Sequence, residues 1–289
     1  MKLASYMISG RSSYGVVIDD EILDIGGRPG APATLLDALT VPQASLLELP
    51  AGTHPAGSDR IAVSDVTWLP PIWNSDRIIC VGLNYRSHVL ELGREPPEHP
   101  MLFVRFADSL VGQDEPLVRP RASQMFDFEA ELAVVIGKGG RHIAAERAME
   151  HVAGFAGFND GSIRDFQFHS GQFLSGKSFW RSGAFGPWIV TADEVGDISN
   201  LEIRALLNGQ EMQRARFDDL LFGVPDLIAY ISQVMPLQTG DVIATGTTGG
   251  VGAARNPQVW MKPGDVIEVV IDKIGTLRNT IVDEADAAA

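Results

Sequence analysis

Cysteine is almost absent from this chain. Cys80 is the only one in 289 residues, and it sits inside the apolar run Ile78-Ile79-Cys80-Val81. Disulfides and thiolate metal sites within the chain are thereby excluded, and packing is the expected role of that side chain. Positive charge is scarce as well. Against 37 Asp and Glu stand 23 Lys and Arg, giving a formal charge of −14 and a pI near 4.8. Binding to nucleic acid or to an anionic membrane surface needs a cationic patch, so neither is expected, although a locally basic pocket for a small anion stays open. No apolar run reaches the roughly 18 residues of a membrane span, and Met1 to Gly15 carry polar groups every few positions. A soluble, cytoplasmic protein is the expectation. Repeats, charge runs and low-complexity tracts are missing too, apart from a short Ala-rich end at 285–289.

What remains supports a large core. With 45% hydrophobic and 21% charged residues, the chain exceeds the usual single domain and suits one sizeable domain plus a smaller one. Residues 2–8, 14–19 and 21–25 read as short strands, with a short helix at 34–39 and then a stretch rich in Pro, Gly and Ala through Gly57. Consecutive prolines stop helices and central strands alike, so Pro70-Pro71 marks a boundary between a small N-terminal α+β domain over 1–70 and a second domain over 73–289. In the second, strands 201–207 and 211–216 flank Asn208-Gly209, a hairpin signal because both positions tolerate positive φ. Another pair, 266–271 and 277–282, is entered through Lys262-Pro263-Gly264-Asp265. Helices are expected over 84–92, 144–151 and 225–235. In the last, Leu227, Ile228, Ile231 and Val234 recur at helical spacing and form one buried stripe. Strands and helices do not alternate regularly, which speaks against a doubly wound or TIM-type sheet. The fold class expected is α+β and strand-rich, with a mixed, mostly antiparallel sheet or roll and helices packed outside.

The chemistry gathers around Asp127-Phe128-Glu129-Ala130-Glu131-Leu132, which runs into the apolar Ala133-Val134-Val135-Ile136. On a strand, Glu129 and Glu131 share a face with Cα atoms about 7 Å apart. Two carboxylates converging to about 4 Å at an effective dielectric near 20 repel by about 4 kcal/mol, so the site needs a proton, an arginine or a metal cation. An isolated Glu-x-Glu also suits a solvated edge strand, but the residues downstream argue otherwise. Gly154 to Gly161 brings Asp160 to the end of an apolar, glycine-rich strand. Three carboxylates plus water suit Mg²⁺, with Mn²⁺ or Ca²⁺ as substitutes, whereas Zn²⁺ more often recruits His or Cys. Upstream, Val81 to Gly93 reads as a strand, a tight Gly turn and a short helix that puts His88 and Glu91 on one face. Such a pair is a general base or a surface ion pair. Lys177, among glycines and aromatics, is either a substrate-carboxylate ligand or a solvated loop lysine. The run Thr245-Gly246-Thr247-Thr248-Gly249-Gly250-Val251-Gly252 lets backbone amides approach an anion closely, but it lacks the Gly-Lys-Ser/Thr ending of a phosphate-binding loop.

In this order and spacing, GLNYRSH, DFEAELAVVIGK, AGFND, GKSF, GPW, TGTTGGVG and KPGD closely resemble the fumarylacetoacetate hydrolase family, from about Ile78 to Val282. The resemblance implies a mixed β-sheet roll that usually dimerises, with a small N-terminal domain as in longer bacterial members. It implies Glu129, Glu131 and Asp160 as metal ligands, and His88 with Glu91 as the water-activating pair on a mobile lid. Lys177, Gln172 and Thr247 would hold the keto-acid part of a small anionic substrate. The activity implied is metal-dependent cleavage of the C3–C4 bond of a 2,4-dioxo acid, such as an acylpyruvate, to a 2-oxo acid and a carboxylic acid. The same enolate chemistry serves oxaloacetate decarboxylation and keto-acid isomerisation or hydration. Three departures from the family pattern bear on the outer pocket: Trp180-Arg181 after Lys177-Ser178-Phe179, Gly161 after Asp160, and Thr-Gly-Thr-Thr in the loop. Trp180 is expected against the distal part of the substrate or in the core, and Arg181, Arg105 or Arg164 against a second carboxylate.

Overall fold

The computed structural model describes residues 1–41 and 59–287, so most of the Pro-, Gly- and Ala-rich stretch and the last two residues lie outside the described part. The expected strand-rich α+β architecture is what the chain adopts. Most strand pairs are antiparallel, and a 12-stranded and a five-stranded sheet dominate.

At the heart of the larger sheet, strand Ala130–Ile136 pairs antiparallel with Val152–Asn159 on one side and with Val242–Ala244 on the other. Val242–Ala244 runs parallel to Ile78–Gly82, which pairs with the edge strand Met101–Arg105. All seven residues of Ala130–Ile136 are buried, because both of its faces are covered. Leu132, Val134 and Ile136 pack toward the five-stranded sheet with Ile203, Val269 and Leu277. Ala133 and Val135 pack on the other side with Ile78, Cys80 and Ile189. A strand covered on both faces reads as a continuous apolar run. The hairpin strands Glu202–Leu207 and Val266–Ile271 instead alternate between buried and half-buried residues, as expected where only one face meets the core.

The hairpin turn forms at Asn208 (φ 53°) and Gly209 (φ 77°). Helix Val224–Val234 buries Leu227, Ile228 and Ile231. Val234, expected in the same stripe, ends the helix 58% exposed. The expected helix at 144–151 is a 3-10 segment, Ala145–His151. Strand Lys2–Ile8 joins the larger sheet directly, with Lys2 opposite Val190 and Leu3 opposite Ile189, so one ladder of hydrogen bonds crosses the Pro70-Pro71 boundary. No helix among the described residues is long and apolar enough to cross a membrane.

Candidate active site

The register of two neighbouring strands builds the acidic floor. Ala130 lies opposite Asn159, which sets Glu129, Glu131 and Asp160 at one end of the pair. Asp160 N–H donates to the Glu129 carbonyl at 2.9 Å, and Glu129 N–H donates to Asn159 Oδ1 at 3.0 Å. One carboxylate oxygen from each of the three acids lies within 4.8 Å of the others, and all three side chains are buried. Gly161 is required behind them, since a Cβ there would fall 1.9 Å from the Ser182 carbonyl oxygen. Gly246, at φ 100°, donates its N–H to Glu131 Oε2 at 2.9 Å.

Three cationic side chains interleave with these acids. Lys177 Nζ lies 2.6 Å from both Glu129 Oε2 and Asp160 Oδ2. Arg105 Nη1 is 2.6 Å from Asp160 Oδ1. Arg164 reaches Glu129 Oε1 at 2.7 Å and Asp127 Oδ2 at 2.8 Å. Burial opposes ionisation of Glu129, but Lys177 and Arg164 beside it hold its carboxyl down at about 2. Burial, together with Asp160 and Glu129 as like-charged neighbours, pushes Glu131 well above the usual carboxylate range. Burial alone would lower Lys177, yet the Asp160 and Glu129 carboxylates keep its ammonium group charged and raise it.

Counting Asp127, four buried acids face three buried cations; with all four ionised one negative charge would be in excess, and in low dielectric that excess is relieved by a proton on Glu131 or by a cation. That surplus and the all-oxygen donor set fit a hard divalent ion, which Glu129, Glu131 and Asp160 would hold. A bound dication would turn the surplus into one net positive charge, matched to a monoanionic head group.

Asp127, given no role on sequence grounds, is the hinge between floor and loop. Its Oδ1 accepts N–H bonds from Phe128 and Gly252 at 2.8 Å, and Oδ2 accepts from Ala253 at 3.0 Å. The signal was present: Asp127, Glu129 and Glu131 share parity along the segment. Gln213 was also missed. It accepts from Ala130 N–H at 2.9 Å and donates to Thr247 Oγ1 at 2.8 Å, fixing the Thr247 hydroxyl.

Opposite the floor stands helix Arg86–Glu91. The preceding turn places positive φ on Leu83 (55°), not on Gly82. Fully buried Asn84 locks that turn, donating from Nδ2 to the Thr245 carbonyl at 2.8 Å and accepting Phe222 N–H at 2.9 Å. Ser87 N–H and Oγ donate to Asp219 Oδ2 at 3.1 and 2.6 Å. His88 is buried, with Nδ1 3.3 Å from Glu91 Oε2, and Glu91 Oε1 accepts Gly250 N–H at 2.8 Å. A histidine with one ring nitrogen turned to a carboxylate keeps the other free to exchange a proton.

Between floor and helix lies a cavity of about 90 Å³ lined by His88, Glu129, Glu131, Lys177, Thr247 and Arg94, among others. The structure thus gathers the metal-ligand candidates, His88, Glu91, Lys177 and Thr247. Of the outer-pocket candidates it brings only Arg164 there, paired with Glu129 and Asp127. Arg105 stands behind Asp160 with its guanidinium fully engaged. Gln172 is exposed and absent from the cavity wall. Trp180 is 41% exposed, its ring 5.5 Å from the Arg181 guanidinium, and Arg181 pairs with Glu115 at 2.7 Å.

Comparison with known proteins adds four findings. The model of the fumarylacetoacetate (FAA) hydrolase C-terminal region matches residues 77–282. The chain is 43% identical over 221 residues to oxaloacetate tautomerase FAHD2A, mitochondrial, of Homo sapiens, covering 76% of this chain and 70% of that protein. Among solved structures, a fumarylacetoacetate hydrolase from psychrophilic Exiguobacterium antarcticum has a TM-score of 0.83 at 33% identity, covering 98% of this chain and 100% of that one. Maleylpyruvate hydrolase from Sphingobium sp. SYK-6, in complex with manganese (II) ion and pyruvate, has a TM-score of 0.77 at 31% identity over 98% of this chain and 99% of that one.

Proposed function

Because this chain belongs to the fumarylacetoacetate hydrolase family, we propose that it is a divalent-metal-dependent enzyme of small 2-oxo acids. Its favoured reaction is the keto–enol tautomerisation of oxaloacetate or a close analogue. The observation that carries this reading is the His88–Glu91 pair facing the three-carboxylate floor across a cavity of about 90 Å³. An apolar cavity of about 150 Å³ takes a benzene, so this one suits the head of a four-carbon acid better than a bulky acyl chain.

A dication on Glu129, Glu131 and Asp160 supplies Lewis acidity toward the carboxylate and 2-oxo group of the substrate. His88, oriented by Glu91, takes a proton from C3 while the 2-oxo oxygen gains one, which moves the double bond from C2–O to C2–C3; the reverse proton transfers restore the keto form. Lys177, fixed beside the floor, sits where negative charge develops on the 2-oxo oxygen, and a preplaced cation there lowers the barrier without reorganisation. Thr247, its hydroxyl held by Gln213, borders the same space. Proton transfer at C3 needs no water in the cavity.

Hydrolysis of the C3–C4 bond of a 2,4-dioxo acid is the second reading, favoured by the same His88–Glu91 pair and by the likeness to the Sphingobium hydrolase. There His88 deprotonates a water that adds to C4. The C3–C4 electrons then pass into the C2–C3 enol, releasing a 2-oxo acid and a carboxylic acid.

The experiment monitors the enol band of oxaloacetate with metal-stripped protein before and after Mg²⁺ is restored. Mg²⁺-dependent equilibration without loss of total oxaloacetate supports tautomerisation. Release of pyruvate from an acylpyruvate, with no effect on the oxaloacetate enol, shifts the assignment to hydrolysis. Inertness toward both substrates sinks both readings.

A further inference from the structure

We propose that Arg94 is the specificity-determining residue of this cavity, recognising a second carboxylate and so making a short 2-oxo dicarboxylic acid the substrate class. The inference rests on the proposed function, in which the floor holds the 2-oxo acid head group.

Three cationic side chains line the cavity, and two are already committed. Lys177 is shared between Glu129 and Asp160, and Arg164 between Glu129 and Asp127. Arg94 differs. Its backbone N–H caps the helix by donating to the Val89 carbonyl at 3.1 Å, while its guanidinium makes no hydrogen bond or ion pair among the described residues. The three arginines considered on sequence grounds for a second carboxylate are each spent elsewhere: Arg105 on Asp160, Arg164 on two acids and Arg181 on Glu115.

Position adds to the case. Helix Arg86–Glu91 ends at Leu92, and Gly93 takes φ 62° with open space where a Cβ would stand, which turns Arg94 back beside the cavity mouth. The floor takes one end of the substrate, so a carboxylate at the far end meets the outer wall, where Arg94 is the uncommitted cation. Glu91, the nearest acid on the helix, is occupied by His88 and by Gly250 N–H. A planar guanidinium offers two parallel donors to such a carboxylate and stays charged at any working pH. Because Arg94 is exposed, the contact is screened by salt.

The test uses two unreactive acids with the same head group, lactate and malate, which differ by the distal carboxylate. The Mg²⁺-loaded wild type, Arg94→Gln and Arg94→Lys are titrated calorimetrically with each. Wild type is expected to prefer malate by about ten-fold or more, equivalent to about 1.4 kcal/mol. Arg94→Gln erases the preference, Arg94→Lys keeps part of it, and added salt weakens it. Equal affinity of wild type for the two acids, or a preference that survives in Arg94→Gln, overturns the inference. The outcome is separable from the proposed reaction. An Arg94-dependent malate preference in a protein inert toward oxaloacetate and acylpyruvates would leave this inference standing while the reaction falls. Turnover of oxaloacetate with the preference intact in Arg94→Gln would do the reverse.

Discussion

The floor and the rim of the cavity obey different rules. On the floor, Glu129, Glu131, Asp160, Arg105, Arg164 and Lys177 are all buried, and the cations are clamped to acids at 2.6–2.8 Å. At the rim, Leu90 is 74% exposed, and helix Arg86–Glu91 is tied down chiefly through Asp219 and Gly250. Unpairing one buried charge costs about 3–5 kcal/mol, so the floor holds one arrangement. Exchanging a rim hydrogen bond costs only about 1 kcal/mol, so the rim can yield to a substrate. Rigidity is concentrated where a cation must be held, and compliance where a molecule must be admitted.

The largest expected effect separates these regions by chemistry. His88→Gln should lower turnover by about 10²–10⁴, the usual worth of a general base, while the Mg²⁺ affinity measured by calorimetry stays that of the wild type. A variant that lost Mg²⁺ binding as well would show that rim and floor are one unit, and the contrast would break.

Next in size comes the floor itself. Asp160→Asn removes the shared carboxylate of Arg105 and Lys177 and should destabilise the fold by about 3 kcal/mol or more. Urea unfolding of metal-free protein reads this without any contribution from bound cation. A loss below about 1 kcal/mol, the scale of an ordinary hydrogen bond, would mean that the buried charges are not what fixes the floor.

The smallest effect sharpens the description of the rim. Asp219→Ala leaves Ser87 N–H and its hydroxyl without their acceptor, at about 1 kcal/mol. Hydrogen exchange across 86–91 should quicken, and KM should rise more than kcat falls. Unchanged exchange there would relocate the restraint on the helix to Asn84.

Local features were the most legible in the sequence. Asn208-Gly209 announced its hairpin because a two-residue turn with positive φ is a property of those residues alone. The convergence of Glu129 and Glu131 came from strand periodicity. The partners of those acids did not. Arg105 meets Asp160 across 55 residues and Lys177 meets Glu129 across 48, and no local rule says which of several arginines and lysines folds inward. Arg105 was therefore expected at the outer pocket, whereas it stands behind Asp160. Arg94 attracted no notice because an arginine after a helix-ending glycine looks like any solvated residue until the cavity is seen beside it. Asp127 lay in view, on the parity of the two glutamates, and was passed over because one pair of acids already accounted for the pattern.

The way Lys2–Ile8 is seated has a consequence for biosynthesis. One flank of that strand is met at once by Arg11–Ile18, its neighbour in the chain. The other is closed in two parts: Tyr6 and Met7 by Thr67–Trp68, whereas Lys2 and Leu3 wait for Gly183–Thr191, where Leu3 is paired with Ile189. At about 5–20 residues per second of elongation, that wait lasts on the order of 10–40 s. The Lys2–Leu3 end of a nascent meander is an open β edge throughout, available to any neighbouring chain. The hazard of polysome aggregation therefore lies in the first strand, far in time from the catalytic acids, and falls away when the ninth strand after Trp68, Gly183–Thr191, reaches it.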